Sequence, residues 1–126
     1  MKVFRNIKPE FIDERGSIAK ILDNGRTKIR SVLLIQSYAK AIRGNHFHKK
    51  DVHYCYMLSG SMRYSEKKPE NKEWHSVVLR KGDMVRSSQY MLHKMEYLEL
   101  STMLVLSSKS RHQKNYEKDT VRIQEA

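Results

Sequence analysis

Apolar and polar residues follow a two-residue alternation along much of this chain, and helical periodicity is nearly absent. Short runs rich in β-branched and aromatic residues are separated by Gly, Asn, Asp and Lys, the spacing expected of an all-β sandwich or barrel. Asp13-Glu14-Arg15-Gly16 is a turn leading into Ser17–Leu22, and Asp23-Asn24-Gly25 breaks that run. Arg30–Ser37 is apolar on both faces, which predicts a central strand. A histidine-bearing strand follows, then His53–Leu58, which Ser59-Gly60-Ser61 ends as a hairpin turn. Ser65–Glu73 is polar and contains Pro69, so it predicts an exposed, mobile loop. Trp74–Arg80 resumes strand character, Lys81-Gly82-Asp83 is a tight turn, and Met84–Arg86 and Leu92–Tyr97 are short strands. Thr102–Leu106 reads as the last core strand, and Lys109–Asp119 as surface coil. With no repeat and no low-complexity tract, residues 1–126 are expected to form one domain.

Composition narrows the partners. The formal charge of +11 reads first as a lysine-rich surface and second as a field attracting an anionic ligand. The basic residues are scattered, with no arginine stripe or recognition helix, so nucleic acid is not expected. Cys55 is the single cysteine, which rules out an internal disulfide and fits a reducing compartment. Met1-Lys2-Val3-Phe4-Arg5 opens no apolar run, and no stretch approaches membrane-spanning length. A cytoplasmic protein without a membrane partner is expected.

Candidate chemistry concentrates in Arg43-Gly44-Asn45-His46-Phe47-His48, followed after Lys49-Lys50-Asp51-Val52 by His53. On an extended strand His46 and His48 share a face, and a turn through Lys49–Asp51 can bring His53 back beside them. Three converging imidazoles can bind a borderline divalent metal or form an acid/base cluster titrating near neutrality. Strict alternation sets Arg43 opposite to His46, but Gly44 permits a bulge that would turn Arg43 inward. By parity Tyr97 shares the inward face with His93 and Met95, as a hydroxyl donor or as core packing. Cys55 shares parity with His53 and reads as a buried structural thiol. Tyr54 and Tyr56 should pack the other side of the sheet, Met57, Met95 and Met103 line the core, and Trp74 belongs to the core or a dimer interface. His75 and His112 read as surface.

The spacing His46-x-His48-(x4)-His53-(x6)-Gly60 resembles the first cupin motif, and Gly82-(x5)-Ser88-x-Tyr90-(x2)-His93 the second. The chain departs from that pattern at His53, usually glutamate; at Ser88 and Tyr90, usually proline and glycine; and at Lys40, usually glycine. The resemblance implies a cupin jelly-roll barrel, a double-stranded β-helix. Phe11-Ile12-Asp13-Glu14-Arg15-Gly16 together with Arg43-Gly44-Asn45-His46 is similar to the nucleotide-sugar branch of that superfamily. Its members are dTDP-4-dehydrorhamnose 3,5-epimerases, dTDP-4-keto-6-deoxyglucose 3,4-ketoisomerases and the metal-binding cupin domains of capsule-biosynthesis proteins.

That resemblance implies an isomerase or epimerase acting on a 4-keto-hexose nucleotide in surface-polysaccharide biosynthesis. In the epimerases the residue matching His46 is the base; in the ketoisomerases those matching His46 and His48 move the protons without a metal. In the capsule cupins the same pair helps to hold zinc. The expected catalytic residues are therefore His46, His48 and Tyr97, with Arg43 and Lys49 binding the diphosphate. The expected metal ligands are His46, His48, His53 and His93, holding zinc, iron, nickel or manganese, and no organic cofactor is expected. A homodimer pairing around Val3–Phe11 follows from the family habit and from the exposed edges of a small jelly roll. The alternatives are a non-catalytic metal- or sugar-binding cupin and a metal-dependent dioxygenase.

Overall fold

The computed structural model describes residues 1–48, 51–109 and 120–122, with the backbone alone at 45–48 and 121–122. The strands are β1 (Lys2–Phe4), β2 (Phe11–Asp13), β3 (Gly16–Ile18), β4 (Ser31–Ser37), β5 (Ile42–His48) and β6 (His53–Ser59). They continue with β7 (Ser61–Lys67), β8 (His75–Arg80), β9 (Met84–Arg86), β10 (Leu92–Tyr97), β11 (Ser101–Ser107) and β12 (Thr120–Arg122). Two five-stranded antiparallel sheets, ordered β1-β9-β6-β11-β4 and β12-β5-β10-β7-β8, carry the fold, and β2-β3 is a separate hairpin. Among the described residues no helix is long and apolar enough to cross a membrane.

Alternation builds the core. Cys55 and Met57 of β6, Met103 and Val105 of β11 and Val85 of β9 point inward from the first sheet. Met62 and Tyr64 of β7, Leu79 of β8, and Met95 and Tyr97 of β10 meet them from the second. Tyr54 is 5% exposed although it lies on the outer face of β6. There the segment around Lys20–Thr27 forms a cleft with Phe4, Tyr54, Met84 and Arg86.

Two elements differ from the sequence reading. Among the described residues β4 is an edge strand, paired only with β11, and Val32 and Leu34 are 58% and 68% exposed. Its outward apolar residues mimic the two-sided burial of a central strand, while only Leu33 and Ile35 pack on the core. The polar stretch after Tyr64 is not all loop either. β7 runs to Lys67, and Ser65 and Glu66 are buried at 2% and 1%. Met62, Tyr64 and Glu66 keep one inward alternation, so pairing with β10 overrides the polar composition. Trp74 is half-buried between the ammonium groups of Lys67 and Lys94, at 5.1 and 4.4 Å from its ring. The coil expected over Lys109–Asp119 and His112 lie almost wholly outside the described residues.

The pairing of β5 with β10 positions the candidate site. His93 pairs with His46 and Lys94 with Gly44, so Asn45 is the extra residue of a bulge. Gly44 takes φ +103°, and a Cβ there would meet the His93 carbonyl oxygen at 2.6 Å. The bulge resets the alternation: positions 43 and 46 both fall opposite inward-facing residues, Met95 and His93.

Candidate functional site

Asp51, His53 and Cys55 alternate onto the inner face where β6 begins, each 3% exposed or less. The His53 backbone is fixed from both sides, since its N–H donates to Ser87 Oγ (3.2 Å) and its carbonyl accepts from Ser87 N–H (2.9 Å). Asp51 Oδ2 lies 3.6 Å from His53 Nδ1, and its Oδ1 accepts from Ser108 Oγ at 3.1 Å. Burial alone would push the His53 pKa down. Its neighbours Cys55 and Asp51 more than offset it, and His53 holds its proton up to about 9.

His93, at the start of β10, is 2% exposed and meets His53 edge-on, with ring centroids 5.1 Å apart at 81°. Tyr64 of the neighbouring β7 stacks on the His93 ring at 6.3 Å and 15°. The Tyr64 hydroxyl donates to Glu66 Oε1 at 2.8 Å, and the Ser88 N–H donates to the same oxygen at 3.3 Å. The Met1 nitrogen lies 3.1 Å from Glu66 Oε2. Burial raises the Tyr64 pKa well above its ordinary value, and the adjoining Glu66 charge adds to the rise. Neither Tyr64 nor Glu66 emerges from the sequence reading, which assigns the stretch from Ser65 to a loop. The signal was present as the continued alternation of Met62, Tyr64 and Glu66.

The expected site residues fall into two groups. His53 and His93 come together, with the backbone of His46 paired to that of His93 and the backbone of His48 paired to Thr120. The side chains of His46 and His48, and Lys49 altogether, lie outside the described residues. Arg43 and Tyr97 sit apart from them. Tyr97 is fully buried, with its hydroxyl 3.7 Å from Met95 Sδ and 3.9 Å from Met103 Sδ. It lies four positions beyond His93, about 13 Å along β10. Arg43 donates from Nε to Ser37 Oγ at 2.9 Å and from Nη2 to the Gln36 carbonyl at 3.4 Å. Burial pushes the Tyr97 pKa up, while Ser37 and the Arg43 charge pull against it. His75 is exposed, as a surface residue should be.

For a metal, the described residues supply a partial donor set. His53 and His93 are adjacent, but no three His, Cys, Asp or Glu among the described residues converge on one point. His46 and His48 would have to complete the set, and His53 would have to give up the proton that Asp51 and Cys55 stabilise. The arrangement as described suits proton handling: one imidazole held charged, a second held in a fixed plane, and a buried carboxylate behind it.

No protein-family profile matches the chain, and no curated protein matches it. Solved structures do. A double mutant of the 3,4-ketoisomerase QdtA from Thermoanaerobacterium thermosaccharolyticum, in complex with TDP, is similar at 25% identity and a TM-score of 0.76. The match covers 97% of this chain and 86% of that one. A 3,4-ketoisomerase from Helicobacter canadensis is similar at 22% identity and a TM-score of 0.78, covering 97% and 90% of the two chains. The rmlC epimerase of Mycobacterium tuberculosis is similar at 22% and 0.74, covering 93% of this chain and 66% of that one. The all-β cupin-like fold is thus shared with ketoisomerases and epimerases of the branch that the two sequence motifs resemble.

Proposed function

We propose that the protein is a sugar-nucleotide isomerase or epimerase that acts on a 4-keto-hexose nucleotide in surface-polysaccharide biosynthesis. The observation that carries this reading is the bulged β5–β10 pairing. It puts position 46 opposite His93, beside the buried His53, in a fold shared with TDP-sugar enzymes. A proton alpha to the C4 ketone passes to a neutral imidazole, assigned to His46, and its electron pair moves onto the carbonyl oxygen as an enolate. The enolate needs positive charge nearby, and the His53 imidazolium supports that role. Return of a proton to the same carbon from the opposite face inverts the centre; for the isomerisation the adjacent hydroxyl gives its proton to the enolate oxygen and becomes the new ketone as the former carbonyl carbon takes a proton, with His48 as the relay. Arg43, exposed and bonded to Ser37 near the Tyr97 end of the barrel, and Lys49 are assigned to the diphosphate. Tyr97, packed against two thioethers, is the weakest of the catalytic assignments. The test is a thermal-shift screen of 4-keto sugar nucleotides, followed by deuterium wash-in from solvent with those that bind.

A divalent metal is a proposal on the same residues. His46, His48, His53 and His93 would hold it, and bound there it would polarise the keto oxygen. Ligation by His53 displaces a proton held up to about 9, so loading with zinc at pH 7 should release protons measurable in weak buffer. Wild type should bind one ion per chain and His48→Ala none. Equal metal content in the two proteins would sink the four-histidine assignment.

We propose a homodimer as well, paired through the N-terminal segment. Among the described residues β1 is a sheet edge, the β2-β3 hairpin pairs only with itself, and Phe11, Ile12 and Ile18 are 53–72% exposed. Light scattering at micromolar concentration should give twice the chain mass, and a monomeric mass would overturn this assembly.

A further inference from the structure

Glu66 is a carboxylate 1% exposed, deep in a barrel, and the proton-transfer scheme above gives it no task. A buried carboxylate is costly unless its oxygens are satisfied, and three different chain segments supply its partners. The Tyr64 hydroxyl donates at 2.8 Å, the Ser88 N–H at 3.3 Å, and the Met1 nitrogen lies at 3.1 Å. The strongest of these, by length, is the bond from Tyr64. That residue presents its ring to His93 with planes only 15° apart, while His53 meets the same imidazole nearly perpendicular at 81°. The His93 ring therefore has one aromatic neighbour nearly parallel to it and one nearly perpendicular, and both contacts bear on the orientation of its plane.

Tyr64 on its own would turn about its two side-chain torsions. The bond to Glu66, two residues on along the same inner face, anchors the hydroxyl end and so the direction of the side chain, and close packing around the fully buried ring holds its rotation about its own axis. Glu66 is itself paired in register with His93, so anchor and target lie on adjacent strands. We infer that Glu66 is a positioning residue, which through Tyr64 holds the His93 ring in the plane the site requires. The inference rests on the sugar-nucleotide reading for its effect on turnover, but the geometry it asserts is independent of any substrate.

Three variants and two readouts test it. Glu66→Gln keeps an acceptor oxygen for Tyr64; Glu66→Leu keeps the volume without the acceptor; Tyr64→Phe keeps the ring without the donor. In wild type the His93 ring lies beside the Tyr64 ring, nearly parallel to it with centroids 6.3 Å apart, and its NMR resonances should carry a shift that depends on that placement. Glu66→Gln should retain that shift, while Glu66→Leu and Tyr64→Phe should lose or broaden it. In turnover of a 4-keto sugar nucleotide, kcat should fall about tenfold or more in the last two with KM little changed, and Glu66→Gln should restore most of it. An unchanged His93 spectrum in Glu66→Leu, with native circular dichroism, overturns the inference whether or not the enzyme turns over. Equal loss of kcat in Glu66→Gln and Glu66→Leu also overturns it, because the carboxylate would then act through its charge on the substrate. A wild type that binds and exchanges no sugar nucleotide sinks the functional reading alone, and the NMR comparison still decides the positioning role.

Discussion

His46→Asn should abolish turnover of a 4-keto sugar nucleotide, by about 10²–10⁴-fold, while leaving its binding nearly intact. Asparagine keeps a hydrogen-bonding side chain of moderate size at the position paired with His93, but it cannot take up a proton from carbon. The loss therefore falls on the transition state and shows in kcat rather than KM. Arg43→Ala should behave oppositely. Its guanidinium is held away from the histidines by Ser37 and Gln36, so its removal should chiefly weaken binding of the diphosphate. The decisive measurement is deuterium incorporation from solvent beside the keto group. It should appear with wild type and vanish with His46→Asn. If wild type exchanges no deuterium with any 4-keto sugar nucleotide and shows no affinity for one, the enzyme reading fails and a binding module replaces it.

The barrel was legible because its signals are local. Asp51 and Gly60 bound β6 within a residue of where pairing places it, β10 runs over Leu92–Tyr97 as expected, and the alternation of His93, Met95 and Tyr97 survives unchanged on the inner face. The cupin spacings also survived their departures from the motif. Lys40 and Tyr90 stand where glycine is usual, and both take left-handed backbone, at φ 71° and 59°. These turns are imposed by the surrounding pairing, as the bond from the Lys40 N–H to the Tyr97 carbonyl at 2.7 Å illustrates.

What sequence could not supply was pairing between distant strands. Arg30–Ser37 looks central because both its faces are apolar, yet nothing local says that β4 has, among the described residues, a neighbour on one side only. Glu66 looks like the start of a polar loop, because two of the residues around it, Ser88 and His93, reach it only through the β7–β10 register and the turn after β9. The separation of Tyr97 from His93 was hidden for a similar reason. Shared parity says that two side chains face the same way, and it is silent on the length of strand between them.

Gly44→Ala is the substitution expected to damage fold and site together. The φ of +103° lies where a Cβ is strained, and the added atom would stand 2.6 Å from the His93 carbonyl oxygen and 2.9 Å from the Lys94 Cα. Both are backbone atoms of the β10 ladder, so no side chain can swing aside. Either β5 lifts off β10 or the bulge flattens into regular pairing. Flattening shifts alternation by one residue, and positions 43 and 46 can then no longer both fall on the inner face. Gly25→Ala is the control, because Gly25 also has a positive φ, +72°, but nothing within 4 Å of an added Cβ. The control should cost about 1 kcal/mol by backbone strain alone. Gly44→Ala should cost roughly 2–4 kcal/mol, the range of overpacked and strained sites, read as a lower urea midpoint. Its folded fraction should also lose turnover at least tenfold, which Gly25→Ala should not. Equal stability losses in the two variants, or full activity in Gly44→Ala, would mean that the bulge neither resists a side chain nor sets the register on which the site depends.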